Sequence, residues 1–235
     1  MCGRFVLTSS KEKIISSFEV DNSIEIPNPR YNIYPTEKIP VILKSNCSNF
    51  LEIMQWGLFR FGVNINRPLI NARVETIKQK PSFQKILKNP CLVPANGFYE
   101  WKKEKTKKQP YFISLKNIDL FAFAGIYDYG ESNEGKNIKN LAILTTKSNS
   151  FLEKIHNRMP IILTEKNFKK WLYYPEIFLS DIYNACKPLN IQAWEVSKKV
   201  NTPTFDNPIC IKKIIKNEKL IEGEKFFKSQ GSFFD

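Results

Sequence analysis

Histidine is almost missing from this chain: one imidazole, His156, occurs in 235 residues. That scarcity excludes His-rich metal centres and leaves a single side chain of the type best suited to moving protons near neutrality. Cysteine is sparse and scattered. Cys2, Cys47, Cys91, Cys186 and Cys210 are odd in number and form no C-x-x-C pair, so neither a zinc cluster nor a disulfide framework is expected. Long apolar runs are also missing, the longest being residues 120–127, far short of the roughly 20 that a membrane-spanning helix needs. The opening MCGRFVLTSS has neither the basic start nor the apolar centre of a signal peptide, so the expected location is the cytoplasm and no membrane partner is expected. No internal repeat and no long Gly/Ser linker interrupts the sequence, which reads as one domain with a basic tail.

What the chain has in excess is positive charge. Lys+Arg total 36 against 23 Asp+Glu, a formal net charge of +13, which favours an anionic partner such as nucleic acid. The background is rich in Lys, Asn and Ile, so many lysines are expected to be solvated surface. The six arginines (Arg4, Arg30, Arg60, Arg67, Arg73 and Arg158) are therefore more informative than the total. With 42% hydrophobic residues, the chain is long enough to bury a substantial core.

Short apolar or period-two runs bounded by turn residues predict strands over 40–43, 50–56, 91–93, 98–101, 111–115, 120–127, 141–145, 160–163 and 191–196. Ser9-Ser10-Lys11-Glu12 reads as a capping box for a helix through Phe18, and helical spacing recurs over 82–87, 150–156, 165–173 and 179–186. Strands cluster centrally instead of alternating with helices, which predicts an α+β fold with a largely antiparallel, barrel-like core and peripheral helices. Residues 102–109 and 130–139 read as polar hairpin loops, and 217–235 as a frayed end.

Cys2 stands where removal of Met1 would make it the first residue, and the small Gly3 after it permits that removal. An N-terminal cysteine carries a thiol of ordinary pKa about 8.5 and an α-amine of about 8 on adjacent carbons, so both are nucleophilic near neutral pH. The amine forms a Schiff base with an aldehyde, and the thiol closes on the imine carbon to give a five-membered thiazolidine. His156 lies beside Arg158, where a short helix gives way to a strand. Glu100 lies within the aromatic strand Gly97-Phe98-Tyr99-Glu100-Trp101, whose alternation puts Phe98 and Glu100 on one face and Tyr99 and Trp101 on the other. Asn71 is placed to orient a nucleophile or to cap a turn. Trp56 reads as core.

Taken together, Met1-Cys2-Gly3-Arg4-Phe5, Arg30-Tyr31-Asn32 with Pro35-Thr36, Trp56-Gly57-Leu58, Asn71-Ala72-Arg73-x-Glu75, Gly97 to Trp101, Thr145-Thr146 and His156-Asn157-Arg158-Met159-Pro160 resemble, in order and spacing, the SRAP (SOS response-associated peptidase) family of abasic-site processing proteins. Val196-Ser197, Val200-Asn201 and Asp206-x-Pro208 are similar to its C-terminal signature, so the resemblance covers residues 2–211 and leaves 212–235 as an extension. It implies a protein of the DNA-damage response that senses abasic sites in single-stranded DNA, including single-strand/double-strand junctions. It would crosslink to them as a thiazolidine through Cys2. Met1 removal, autoproteolytic or by an aminopeptidase, would account for the peptidase label, and a lyase side reaction competes at the Schiff base. By that analogy Cys2 is the nucleophile, Glu100 assists proton transfer, Asn71 positions the N-terminus and His156 handles protons at the sugar oxygen. Arg4, Arg73 and Arg158 would grip phosphates, Trp101 would stack on a base, Glu75 would pair with Arg73, and Tyr31, Asn32, Pro35 and Thr145 would line the DNA groove. No cofactor or metal is implied, and a monomer is expected. One departure stands out: the family's wedge Trp after Trp-Gly-Leu is missing, and Phe61 is its expected substitute. Two rivals stay open. A class II glutamine amidotransferase also begins Met-Cys-Gly, and a non-covalent single-strand-binding module would make Cys2 incidental.

Overall fold

The computed structural model describes residues 2–215 except positions 23, 27–28, 46–47, 59–67, 78, 80–85, 105, 132–136 and 182–188. Phe61, most of the expected helices over 82–87 and 179–186, and the tail beyond 215 lie outside the described residues.

In chain order the strands are β1 (Phe5–Leu7), β2 (Arg30–Ile33), β3 (Lys38–Lys44), β4 (Asn49–Trp56), β5 (Asn71–Arg73), β6 (Pro90–Ala95) and β7 (Gly97–Glu104). Then come β8 (Lys107–Leu115), β9 (Phe121–Glu131), β10 (Asn137–Lys147), β11 (Arg158–Pro160), β12 (Ile162–Leu163) and β13 (Ile191–Glu195). The described helices are α1 (Lys11–Phe18), α2 (Val74–Ile77), α3 (Glu165–Tyr173) and α4 (Pro175–Ser180). All nine strands expected from the apolar pattern are present. The one expected over 160–163 is split between the end of β11 and β12, and three more, β1, β2 and β5, are too short to show alternation, β2 and β5 also carrying Arg and Asn.

Five strands close a ring in the order β10–β4–β3–β6–β9 and back to β10, antiparallel except where Leu141 pairs in parallel with Trp56. Closure removes the free edges that would otherwise recruit other chains. The two outer edges of β10 beyond that pairing take β5, in parallel from Asn71↔Ile143 to Arg73↔Thr145, and β11, antiparallel from Pro160↔Thr145 to Arg158↔Lys147. A second, fully antiparallel sheet runs β13-β8-β7-β1-β2 and packs on the ring. Its inner face supplies Phe5 and Phe98, which meet Trp56 and Phe123 edge-on at centroid distances of 5.3 to 5.9 Å. The outer face carries a smaller cluster of Val6, Tyr99, Phe112, Val196, Val200 and Cys210, with Trp101 against it. Strand alternation in 98–101 therefore falls as the sequence indicates, and Trp56 is fully buried, its indole N–H donating to Ile70 O at 2.9 Å.

Local signals mostly agree. Ser10, one residue later than the capping-box reading, caps α1 by accepting from Lys13 N at 3.3 Å, and Ile14 and Phe18 form its buried face. Helix α3 spans the expected residues. Three expectations change. The expected helix over 150–156 shrinks to a 3-10 turn over Leu152–Lys154, because Asn149 Oδ1 caps Leu152 N and the chain must extend again to reach β11. The expected loops 102–109 and 130–139 are instead paired strand, from Lys102↔Gln109 to Glu104↔Lys107 in the first and from Asn137↔Glu131 to Lys139↔Tyr129 at the two ends of the second, since ladder hydrogen bonds form on the backbone whatever the side chains.

Candidate active site

The N-terminal segment enters the molecule between the two sheets. Pairing of β1 with β7 sets Phe5 opposite Phe98, and Tyr99 N donates to Arg4 O at 3.0 Å, which carries Cys2 toward Glu100 two residues further along β7. From the other side, β5 delivers Asn71, whose Nδ2 donates to the Cys2 carbonyl at 2.8 Å. Glu100 is 4% exposed. Its Oε1 lies 4.0 Å from Nδ1 of His156, which the turn before β11 presents. Four residues far apart in sequence thus converge: Asn71 is bonded to Cys2, Cys2 feels the charge of Glu100, and Glu100 faces His156.

The imidazole is held from behind. Arg158 N donates to His156 Nδ1 at 3.0 Å, and Ser148 Oγ donates to His156 O at 2.7 Å. Arg158 O also lies 3.3 Å from Nδ1, so the backbone of Arg158 meets that nitrogen with both a donor and an acceptor, the N–H contact being the shorter. The Cys2 thiol is fully buried, with Sγ 3.9 Å from Arg4 O. Burial above all, and then the nearby Glu100 carboxylate, pushes its pKa far up. Both causes act in the same direction, since a thiolate here would be desolvated and beside a negative charge.

The arginines divide. Arg73 is exposed on β5. Arg158 is 12% exposed in its side chain and forks onto Glu75 Oε1 and Oε2 at 2.9 and 3.0 Å, while Nη2 also reaches Thr145 O at 2.8 Å and Thr145 Oγ1 at 3.0 Å. Glu75 thus pairs with Arg158, not with Arg73 as expected, because α2 turns its carboxylate across the end of β10. Thr145 is fully buried beneath that pair and lines no groove; its hydroxyl serves Arg158. Arg4 Nη1 donates to Asn32 Oδ1 and to Val200 O, both at 2.8 Å. Asn32 is likewise fully buried and, contrary to the expectation that it lines the DNA groove, anchors the segment after β13: Nδ2 reaches Val200 O, Thr202 O and Phe205 O at 2.9 to 3.2 Å. Pro35 is half-buried in the turn after β2, beside Thr36 at φ 78. Trp101 is half-exposed at the mouth, its Nε1 donating to Asn201 Oδ1 at 2.7 Å.

Sequence reasoning missed Asn201 as the partner of Trp101, and Asp206, which accepts from Tyr31 N at 2.5 Å and pairs with Arg30. Both stand in the C-terminal signature, so the signal was present without a role attached. Among the described residues no cluster of three or more His, Cys, Asp or Glu side chains is arranged to hold a metal ion, and no helix is long and apolar enough to cross a membrane.

A closed five-strand ring and a second sheet packed on it define an α+β protein in which a near-N-terminal cysteine lies among Asn, Glu and His side chains. The chain belongs to the SRAP family: the family model described as SOS response associated peptidase matches residues 1–203. It is 38% identical over 221 residues to the abasic site processing protein YoqW of Bacillus subtilis, covering 90% of this chain and 99% of that one. Over 215 residues it is 31% identical to the abasic site processing protein YedK of Escherichia coli, covering 85% and 94% of the two chains. A crystal structure of a protein from Bacteroides thetaiotaomicron superimposes with a TM-score of 0.78 at 27% identity, covering 91% of this chain and all of that one.

Proposed function

We propose that this protein processes abasic sites in single-stranded DNA by forming a covalent thiazolidine through Cys2 once Met1 is removed. The observation that carries this reading is the grip of Asn71 on the Cys2 carbonyl at 2.8 Å, with Glu100 and His156 in line behind it. Relatives named abasic site processing proteins support the substrate class.

The chemistry follows from which group is ready to react. The buried thiol holds its proton, so the freed α-amine attacks first, adding its lone pair to the C1′ aldehyde carbon of the ring-opened abasic sugar. The carbinolamine hydroxyl takes up a proton and leaves as water, and a Schiff base remains. Sγ then adds to the imine carbon, its proton passing by way of Glu100 to the imine nitrogen, and the ring closes with net loss of one water. The thiol is tethered to the electrophile, so ring closure is intramolecular and does not require an acidic thiol. His156 serves the sugar oxygen on ring opening and in reversal. Ring closure also removes the Schiff base that would drive β-elimination of the 3′ phosphate, and so it protects the strand.

Arg73, exposed beside Asn71, contacts the phosphate backbone. Arg158 adds charge that Glu75 partly offsets, and Trp101, steadied by Asn201, stacks on a base next to the lesion. Intact-mass spectrometry before and after incubation with a single-stranded oligonucleotide carrying one abasic site tests the reading. The expected result is a starting mass lacking Met1 and an adduct equal to protein plus oligonucleotide less one water, absent in Cys2→Ala. Retained Met1, or binding that salt fully reverses, returns the function to a non-covalent single-strand binder.

A further inference from the structure

We infer that Glu75 is a positioning residue for His156, acting through Arg158, an inference that rests on the crosslinking reading above. Three observations carry it. First, the carboxylate of Glu75 engages both edges of the Arg158 fork, at 2.9 and 3.0 Å. Second, Nη2 of that fork is pinned again by the carbonyl and hydroxyl of Thr145, so the guanidinium has little freedom to turn. Third, the main-chain N–H of the same Arg158 lies 3.0 Å from His156 Nδ1 and its carbonyl oxygen 3.3 Å from the same atom. The side chain that Glu75 holds therefore belongs to the residue whose backbone flanks Nδ1, and a shift of that backbone changes the balance between donor and acceptor that sets the imidazole tautomer.

Topology gives the clamp its reach. Strands β5 and β11 flank β10 on opposite edges at Thr145, which pairs with Arg73 on one side and Pro160 on the other. The Glu75–Arg158 pair bridges the two flanks over the end of β10. It thereby fixes the spacing between Asn71, which holds Cys2, and His156, which faces Glu100. The charged and titratable groups around the imidazole are Glu100 on β7, Arg158 on β11, Glu75 on α2 through Arg158, Cys2 ahead of β1 through Glu100, Lys147 on β10, and Glu153 and Lys154 in its own turn. Glu75 is the one whose removal frees the Arg158 side chain without altering the ring's own contacts.

Because His156 is the only histidine in the chain, its ring signals in a long-range proton–nitrogen NMR spectrum need no assignment in untagged protein. The test compares wild type with Glu75→Gln, which keeps size and loses charge. In wild type the neutral ring should be the Nε2–H tautomer. In the variant both tautomers should appear and the imidazole titration midpoint should shift. The crosslinking rate at saturating abasic oligonucleotide should fall about tenfold with a matching shift of its pH profile, while DNA affinity holds or rises. Should Glu75→Gln fail to fold, Arg158→Lys, which keeps the charge and loses the fork, is read in the same way. An unchanged tautomer and a superimposable pH profile overturn the inference, and so does tighter DNA binding as the sole change, which would assign Glu75 to charge balance. A wild-type protein that forms no adduct overturns the crosslinking reading instead, and the imidazole spectra separate that outcome from failure of the clamp.

Discussion

Replacing Asn71 by Ala removes one hydrogen bond, from Nδ2 to the Cys2 carbonyl, that spans 69 positions of sequence. The backbone around it stays in place, because Asn71 remains paired with Ile143 and Ile143 N still donates to Ile70 O at 3.1 Å. One such bond contributes about 1 kcal/mol net. The Oδ1 atom deleted with it is buried and has no hydrogen-bond partner among the described residues, so its loss leaves nothing behind. The expected loss of stability is thus about 1 kcal/mol, or roughly 2 to 4 °C in Tm for a domain of this size. The effect on chemistry should be much larger. An N-terminus freed to wander by about 1 Å from the attack geometry costs on the order of a hundredfold in rate. A time course of adduct on denaturing gels, run beside a thermal melt, should show crosslinking slowed about 10- to 100-fold in a protein that melts almost normally. Asn71→Asp, which sets a carboxylate against the Cys2 carbonyl, should be at least as slow. Crosslinking at the wild-type rate by Asn71→Ala refutes the reasoning. A melting temperature that collapses in proportion to the rate does so as well, since the residue would then be holding the fold and not the nucleophile.

Three other perturbations separate the roles that the structure distributes among residues of similar type. Arg73→Ala should weaken binding to single-stranded DNA and flatten the plot of log K against log salt by about 0.7, the value of one phosphate contact; an unchanged slope removes Arg73 from the interface. Asn32→Ala should destabilise by about 2 kcal/mol, near 1 kcal/mol for each of the two N–H groups that its amide donates among the carbonyls of Val200, Thr202 and Phe205, as read by urea denaturation, and should expose the 198–206 segment to protease. Acid should break the Glu75–Arg158 clamp in a defined window. Burial of Glu75 opposes its charge, but the hydrogen bonds from Arg158 and from backbone N–H groups outweigh it and hold the pKa below the ordinary 4.5. The group binds protons more readily unfolded than folded, so its contribution is complete above pH 4.5 and disappears as pH falls through the depressed folded value. Stability measured by denaturant between pH 6 and 3 should therefore fall less steeply in Glu75→Gln than in wild type.

Legibility differed by element for physical reasons. Strands such as β3, β6 and β9 are buried through most of their length, so their apolar runs could be read from composition alone. Strand β5 has three residues, one of them the exposed Arg73, and owes its conformation to pairing with β10. A pattern search has nothing to find there. Residue types in the motifs singled out Cys2, Asn71, Glu100 and His156, which the fold brings together. The roles first given to Glu75, Asn32 and Thr145 did not hold, because arginine, asparagine and threonine look the same in sequence whether they face a phosphate or a buried carbonyl.

The amino-acid order by itself determined the strand faces, the placement of Trp56 and Phe98 in the core, and the presence of a thiol at the second position. These follow from side-chain alternation and covalent chemistry, which are local. Tertiary structure alone decided which guanidinium is exposed and which is clamped, which backbone groups flank Nδ1 of His156, and that the Cys2 thiol is buried, which pushes its pKa up. Each of those depends on distance and burial between segments that only closure of the barrel, and the packing of the second sheet against it, bring together.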